Sequence, residues 1–343
     1  MLLGGGSLIA LALVPLMWPK AGDNAGLVTA MLLLANLINH PHFAHSYQLF
    51  YRDFTSRAFG DRFPRALRQK YLFAGVGVPL LLVSFLSYAV VTGNSGLLGW
   101  LTNFMFFLVG WHYVKQGYGM LMVDAALKKN FFGTKDKNLL LWNAYAVWIT
   151  SWMMINRSFS SLQYWELHYF SFNIPDWLFF SSVTGMAIST CMVIPVLIRK
   201  ARSFKISGAP INGMIAYVVS LYVWLLARHP SMLLVIPAFH SLQYLAVVWR
   251  YRRNIEASKS NDKVRRRKGF ALFVVTGFIL GYAGFWYVPQ WLGRHINYDQ
   301  ATFGGALFLF LFWVFINVHH YFLDNVMWRK DNPDTRLYLF GTH

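Results

Sequence analysis

The chain has a single cysteine, Cys191, set in an apolar stretch. One thiol excludes a disulfide framework and a thiolate metal site within one chain. Acidic residues are scarce too, 13 against 31 lysines and arginines, and charged residues of both signs make up only 13%. That is about half the usual share of a soluble domain. There is no internal repeat and no low-complexity segment. Residues 1–18 lack the basic start and small-residue cleavage site of a signal peptide, and read instead as a first span. What the chain has in excess is apolar surface, since 56% of its 343 residues are hydrophobic and 18% are aromatic. One soluble core of this size cannot hide so much, whereas a bilayer solvates it. The length suits a single integral membrane domain, 1–343, with short loops.

A spanning helix needs roughly 20 mostly apolar residues. Ten segments qualify: 2–18, 26–50, 71–92, 97–124, 139–155, 176–198, 210–227, 231–249, 270–292 and 301–323. The net charge of +18 tests this map. Segments 52–70, 128–137, 199–205, 250–268 and the tail hold 26 of the 31 lysines and arginines, and each follows an even-numbered span. The odd connections hold only Lys20, Arg157, Arg228 and Arg294, and Lys115 lies inside the fourth span. Cytoplasmic loops gather basic residues. The expected fold is therefore all-α, a polytopic transmembrane helical bundle of about ten spans with both termini cytoplasmic, in a bacterial inner membrane. The basic loops face anionic lipid headgroups, and the charge gives no reason to invoke nucleic acid. The connection 156–175 is aromatic and weakly amphipathic, suited to the outer interface.

Polar groups inside a bilayer are costly and mark function. Of eleven histidines, seven fall within spans: His40, His42, His45, His112, His240, His319 and His320. They occupy even-numbered spans only. At 1.5 Å per residue, His45 lies roughly 10 Å before Arg52, His240 about 15 Å before Arg250, His320 about 14 Å before Arg329 and His112 about 18 Å before Asp124. Four helices thus offer imidazoles at a similar depth, and that depth is set by the basic loops. In HPHFAH, His42 and His45 share a helix face, and Pro41 removes a backbone hydrogen bond, so a kink is expected. His320 and Asp324 are four apart.

Neutral imidazole is the commonest protein metal ligand. The seven histidines are the expected metal ligands, and His42, His112, His240 and His320 are expected to converge on one coordination sphere or two adjacent ones. Asp324 is a candidate carboxylate ligand or base. Gln116, Gln243 and Asn317 are candidate ligands or ring-orienting acceptors. Lys115 is a candidate catalytic cation that pairs with Asp324 or Asp124 or meets an anionic substrate headgroup. Tyr47, Tyr244 and the other nearby aromatics read as packing residues, as do Asn103 and Asn143.

This clustering resembles the histidine-rich integral-membrane non-haem iron oxygenases, which include fatty-acid desaturases, sterol and carotenoid hydroxylases and alkane hydroxylases. A second resemblance is to the bacterial membrane dioxygenases that cleave β-carotene. These resemblances imply non-haem iron, one or two ions near the cytoplasmic side, and oxygen-dependent hydroxylation, desaturation or cleavage of a lipid-like substrate with an electron donor. Haem-binding electron transfer is one alternative, since two axial histidines suffice. A proton- or metal-coupled transporter is another.

Overall fold

A computed structural model of the chain describes residues 25–159, 163–164, 166–202, 208–227 and 232–341. The expected first span 2–18, the Arg228–His229–Pro230 connection, the end of the basic segment 199–205, and His343 lie outside the described residues. What is described is almost entirely helical, apart from a two-stranded antiparallel hairpin of β1 (Gln163–Tyr164) and β2 (Leu167–His168) within the connection 156–175.

In chain order the helices are α1 (Ala25–Leu37), α2 (Asn39–Tyr51), α3 (Phe54–Ala58), α4 (Arg65–Val91), α5 (Ser95–Leu127), α6 (Thr134–Ser158), α7 (Asp176–Arg202), α8 (Ile211–Leu226), α9 (Met232–Lys259), α10 (Lys263–His295), α11 (Gln300–Phe303) and α12 (Leu307–Met327). Among the described residues, five helices are long and apolar enough to cross a membrane: α4, α5, α7, α10 and α12. Their exposed faces carry large apolar side chains such as Leu80, Leu81, Phe180, Met192, Leu272 and Ile279, the surface that lipid solvates. The apolar α8 is shorter. The expected span 26–50 is two helices of 13 residues, broken at Ile38. Pro41 cannot bond the Leu37 carbonyl, and the chain responds by restarting the helix. Pro41 then falls in the first turn of α2, where a missing N–H costs nothing.

Contacts divide the chain into two compact units. The first comprises Met1–Leu34, Phe106–Ser160 and Ser171–Ala246, and the second Ala35–Met105, Ser161–Phe170 and Val247–His343.

In the first unit α6 packs on α7 and on α8. Asn143 ties the three together: its amide donates to Ser189 and Thr190, and its oxygen accepts from Tyr217. The Asp124 carboxylate accepts from the Gly213 backbone N–H at 2.8 Å and from Lys128 at 3.2 Å. A Cβ on Gly213 would stand 2.9 Å from the Leu121 Cα, so only glycine permits this crossing.

In the second unit α2 packs on α10 and α12, and α12 also packs on α4. Phe43, Phe285 and Ile316 form the core, with Tyr47, Trp286, Phe312 and Trp313 around them. Both α4 and α10 contain one π turn, Phe73–Gly77 and Ala283–Tyr287, each followed by Val-Pro. Pro79 has no N–H for the Gly75 carbonyl, and that carbonyl instead accepts from the Tyr51 hydroxyl at 2.7 Å.

The C-terminal segment of this unit is pinned to the end of α2. Arg57 is buried and donates to the Leu49 and Phe50 carbonyls at 2.8 and 3.2 Å, closing the last turn of α2 with a cation where the helix dipole favours one. Its other terminal nitrogen meets Asp334 at 2.7 Å, and Asp334 also meets Arg62. Asn332 donates to the Tyr71 hydroxyl and to the Met327 carbonyl. Arg57, one of the basic residues of the segment 52–70, is therefore an internal anchor.

Candidate metal-binding histidines

Within the second unit, α2 and α12 bring two imidazoles and a carboxylate together. His42 Nε2 and His320 Nε2 are 3.0 Å apart, and His320 Nε2 is 3.3 Å from Asp324 Oδ2. The i, i+4 spacing of His320 and Asp324 stacks them on one face of α12. Ser46, one turn after His42 on α2, donates to Asp324 Oδ1 at 3.1 Å and so fixes the carboxylate. All four side chains are buried, His42 at 1%, His320 at 2%, Asp324 at 4% and Ser46 at 0% relative exposure. Each of these two pair distances, His42–His320 and His320–Asp324, suits two ligands of one ion. With metal–ligand bonds of about 2.0–2.1 Å, two donors at a right angle stand about 2.9 Å apart, and tetrahedral donors about 3.4 Å.

The other histidines of this unit are engaged elsewhere. His319 Nε2 donates to the Ala74 carbonyl at 2.8 Å. That bond places its proton on Nε2, leaving Nδ1 to accept from the Tyr47 hydroxyl at 2.5 Å. With both ring nitrogens committed, His319 is a brace between α12, α4 and α2. His40 stacks on Phe285 with centroids 4.0 Å apart and pairs through Nδ1 with Asn36. His45 stacks on Phe273 at 4.3 Å, with Gln48 on its Nδ1. Both rings lie on α10, where Gly277 and Gly281 stand four apart; a Cβ on Gly277 would collide with the His45 ring, and one on Gly281 would stand 3.0 Å from the His40 backbone. This small-xxx-small pattern, legible in TGFILGY, is a signal the histidine count passes over. Asn317 donates to the Trp313 carbonyl at 2.8 Å within α12.

Within the first unit, His112 of α5 and His240 of α9 meet with ring centroids 4.8 Å apart, and the Tyr113 ring stacks on His240 at 3.9 Å. Gln116 donates to the His240 carbonyl at 3.0 Å, and Gln243 accepts from Ser220 at 2.9 Å and donates to the Ala216 carbonyl. The two glutamines therefore tie helices together around the imidazole pair. Lys115 meets the rings of Trp111, Tyr118 and Tyr145. Asp124, one of its expected partners, is taken by Lys128 and Gly213.

Comparison with family models, with curated proteins and with solved structures gives no match to this chain. The fold and its sites define the class: an almost wholly helical protein with five helices long and apolar enough to span a membrane, carrying clustered buried histidines able to bind a metal ion.

Proposed function

We propose that this chain is a ten-span protein of a bacterial inner membrane, with both termini cytoplasmic, acting as a metal-dependent oxidoreductase. In this reading it uses non-haem iron and oxygen to modify a lipid-like substrate, drawing electrons from a donor on the cytoplasmic side. The observation that carries the reading is His320, whose Nε2 meets His42 at 3.0 Å and Asp324 at 3.3 Å. Imidazole and carboxylate are the donor types that non-haem iron oxygenases use. Bound iron would supply oxygen binding and one-electron chemistry. The chain itself supplies a dry, braced site: Ser46 orients Asp324, and the core of Phe43, Phe285 and Ile316 in the same unit keeps its surroundings apolar. Water exclusion of this kind protects reactive intermediates from side reactions. His112 and His240 form a second imidazole pair in the first unit, which supports a second ion.

The geometry favours this over haem. The His42 and His320 nitrogens, 3.0 Å apart, leave no room for a macrocycle between them, which supports non-haem iron over haem at this pair.

The test is elemental analysis of the purified protein with its ultraviolet–visible spectrum. Iron without a Soret band is expected, and His320→Ala should lower bound iron while His295→Ala should not. A Soret band would favour haem electron transfer, and no metal above trace would favour transport. Lipid profiles of cells with and without the protein should differ in air. If that difference is missing, or persists without oxygen, the oxygenase reading falls.

A further inference from the structure

We propose that the aromatic stripe around Lys115, in the first unit, binds a single-chain amphiphile with a terminal carboxylate. The inference rests on the lipid-like substrate of the reading above and gives that substrate a headgroup. Lys115 lies on α5 twelve residues before its last residue, Leu127, about 18 Å along the helix axis. Its ammonium offers three donors. It sits 5.6, 5.7 and 5.9 Å from the ring centroids of Trp111, Tyr118 and Tyr145, and among the described residues it makes no hydrogen bond and no ion pair. Ring faces attract a cation but take none of its hydrogen bonds. A cation this far from a helix end is stabilised by an anion, and the described residues around it provide none.

The stripe continues away from Lys115 along α5 and α6. Trp111 and Phe107 follow at four-residue steps on α5, and Trp148 and Trp152 stand opposite on α6. Ring centroids are 6.3 Å apart for Trp111 and Trp148, 4.5 Å for Phe107 and Trp148, and 5.3 Å for Phe107 and Trp152. All four rings are partly exposed. A Cβ on Gly110 would stand 3.2 Å from Trp148 Cδ1, so glycine lets the indole lie against α5. Beside the indole is a shallow recess lined by Phe106, Gly110, Trp148, Ser151, Trp152 and Trp224. Two hydrogen-bonding groups of this wall, Ser151 Oγ and Trp224 Nε1, have no partner among the described residues.

Depth and charge select the occupant. Half of a bilayer's hydrocarbon core is about 15 Å, so the phosphodiester of a two-chain lipid, held at the interface, does not reach Lys115. A carboxylate at the end of one chain does.

The test is displacement of radiolabelled stearate from the purified protein in detergent, under nitrogen and after metal removal. Unlabelled stearate should compete at least about tenfold better than octadecanol, since a charge-assisted hydrogen bond separates them. Lys115→Gln should abolish that preference and Lys115→Arg should keep it. Equal competition by octadecanol overturns the proposal, as does a preference that survives in Lys115→Gln. Stronger competition by phosphatidylglycerol overturns it in favour of a phospholipid. The wild-type comparison needs no variant and decides the matter even if Lys115→Gln fails to fold. Because binding is read without oxygen or metal, a stearate preference in a protein that shows no iron sinks the oxygenase reading alone.

Discussion

Removing Asp334 should cost this protein more than any ordinary surface change. Arg57 is 1% exposed, and its carboxylate partner among the described residues is Asp334, itself 3% exposed. Breaking a buried ion pair by deleting one partner costs about 3–5 kcal/mol, because the other charge stays buried and uncompensated. Two features place Asp334→Ala near the lower end. Arg57 keeps its bonds to the Leu49 and Phe50 carbonyls, and the second pair, Asp334 with Arg62, involves a side chain 35% exposed and adds at most about 1 kcal/mol. A loss of about 3 kcal/mol lowers the folded-to-unfolded ratio by about two orders of magnitude. Asp334→Asn keeps an acceptor for Arg57 and should lose roughly half as much. The double change Arg57→Met with Asp334→Leu should recover part of the loss, since an apolar pair costs no desolvation while the Leu49 and Phe50 carbonyls lose a donor. The assay is unfolding in mixed micelles against rising sodium dodecyl sulfate, followed by circular dichroism. If Asp334→Ala stays within about 1 kcal/mol of wild type, the Arg57 charge is not desolvated and the argument is wrong.

Three further outcomes follow from the same geometry. Ser46→Ala removes the hydrogen bond that orients Asp324 and should weaken iron binding about 10–100-fold; titration of metal-free protein with ferrous iron reads this, and unchanged affinity would remove Ser46 from the site. Gly277→Ala drives a methyl into the His45 ring and should cost about 1–3 kcal/mol as overpacking, measured by the same micellar unfolding; a neutral result would mean α2 and α10 are not in close contact. Reporter fusions after residues 60, 132, 203, 260 and 338 should read cytoplasmic and those near 95, 165 and 295 external. One clear reversal among the first five breaks the ten-span topology.

Composition and loop charge made the helices legible, because apolar length and basic punctuation are one-dimensional signals. Pro41 announced a kink, and the chain breaks at Ile38, next to the Leu37 carbonyl that Pro41 cannot bond. The pairing of His320 with Asp324 was legible from spacing, and so was its depth near that of His42. Which neighbouring histidine is committed elsewhere was not. His319 and His320 are adjacent in sequence, yet one is braced by Ala74 and Tyr47 and the other faces His42. That difference depends on which carbonyl of α4 is free, and sequence spacing on α12 carries no such information. The anchoring by Arg57 was hidden for a related reason: its partner is a distant aspartate, 277 residues on.

The π turns in α4 and α10 carry a consequence for how this chain tolerates length changes. A π turn is a helix accommodating one residue more than its regular repeat. In α4 it lies beside the proline whose missing donor leaves the Gly75 carbonyl to Tyr51, and the neighbouring Ala74 carbonyl holds His319. Deleting one residue from Phe73–Gly77 would give a more regular helix, with Arg65–Leu72 rotated by about 100° relative to Val78–Val91. The helix would gain regularity while the segment bearing Tyr71, which Asn332 grips, turned away from its partner. In this stretch a single-codon deletion would therefore do more harm than most substitutions, and the apparently surplus residue is what keeps the two halves of α4 in phase with their separate neighbours.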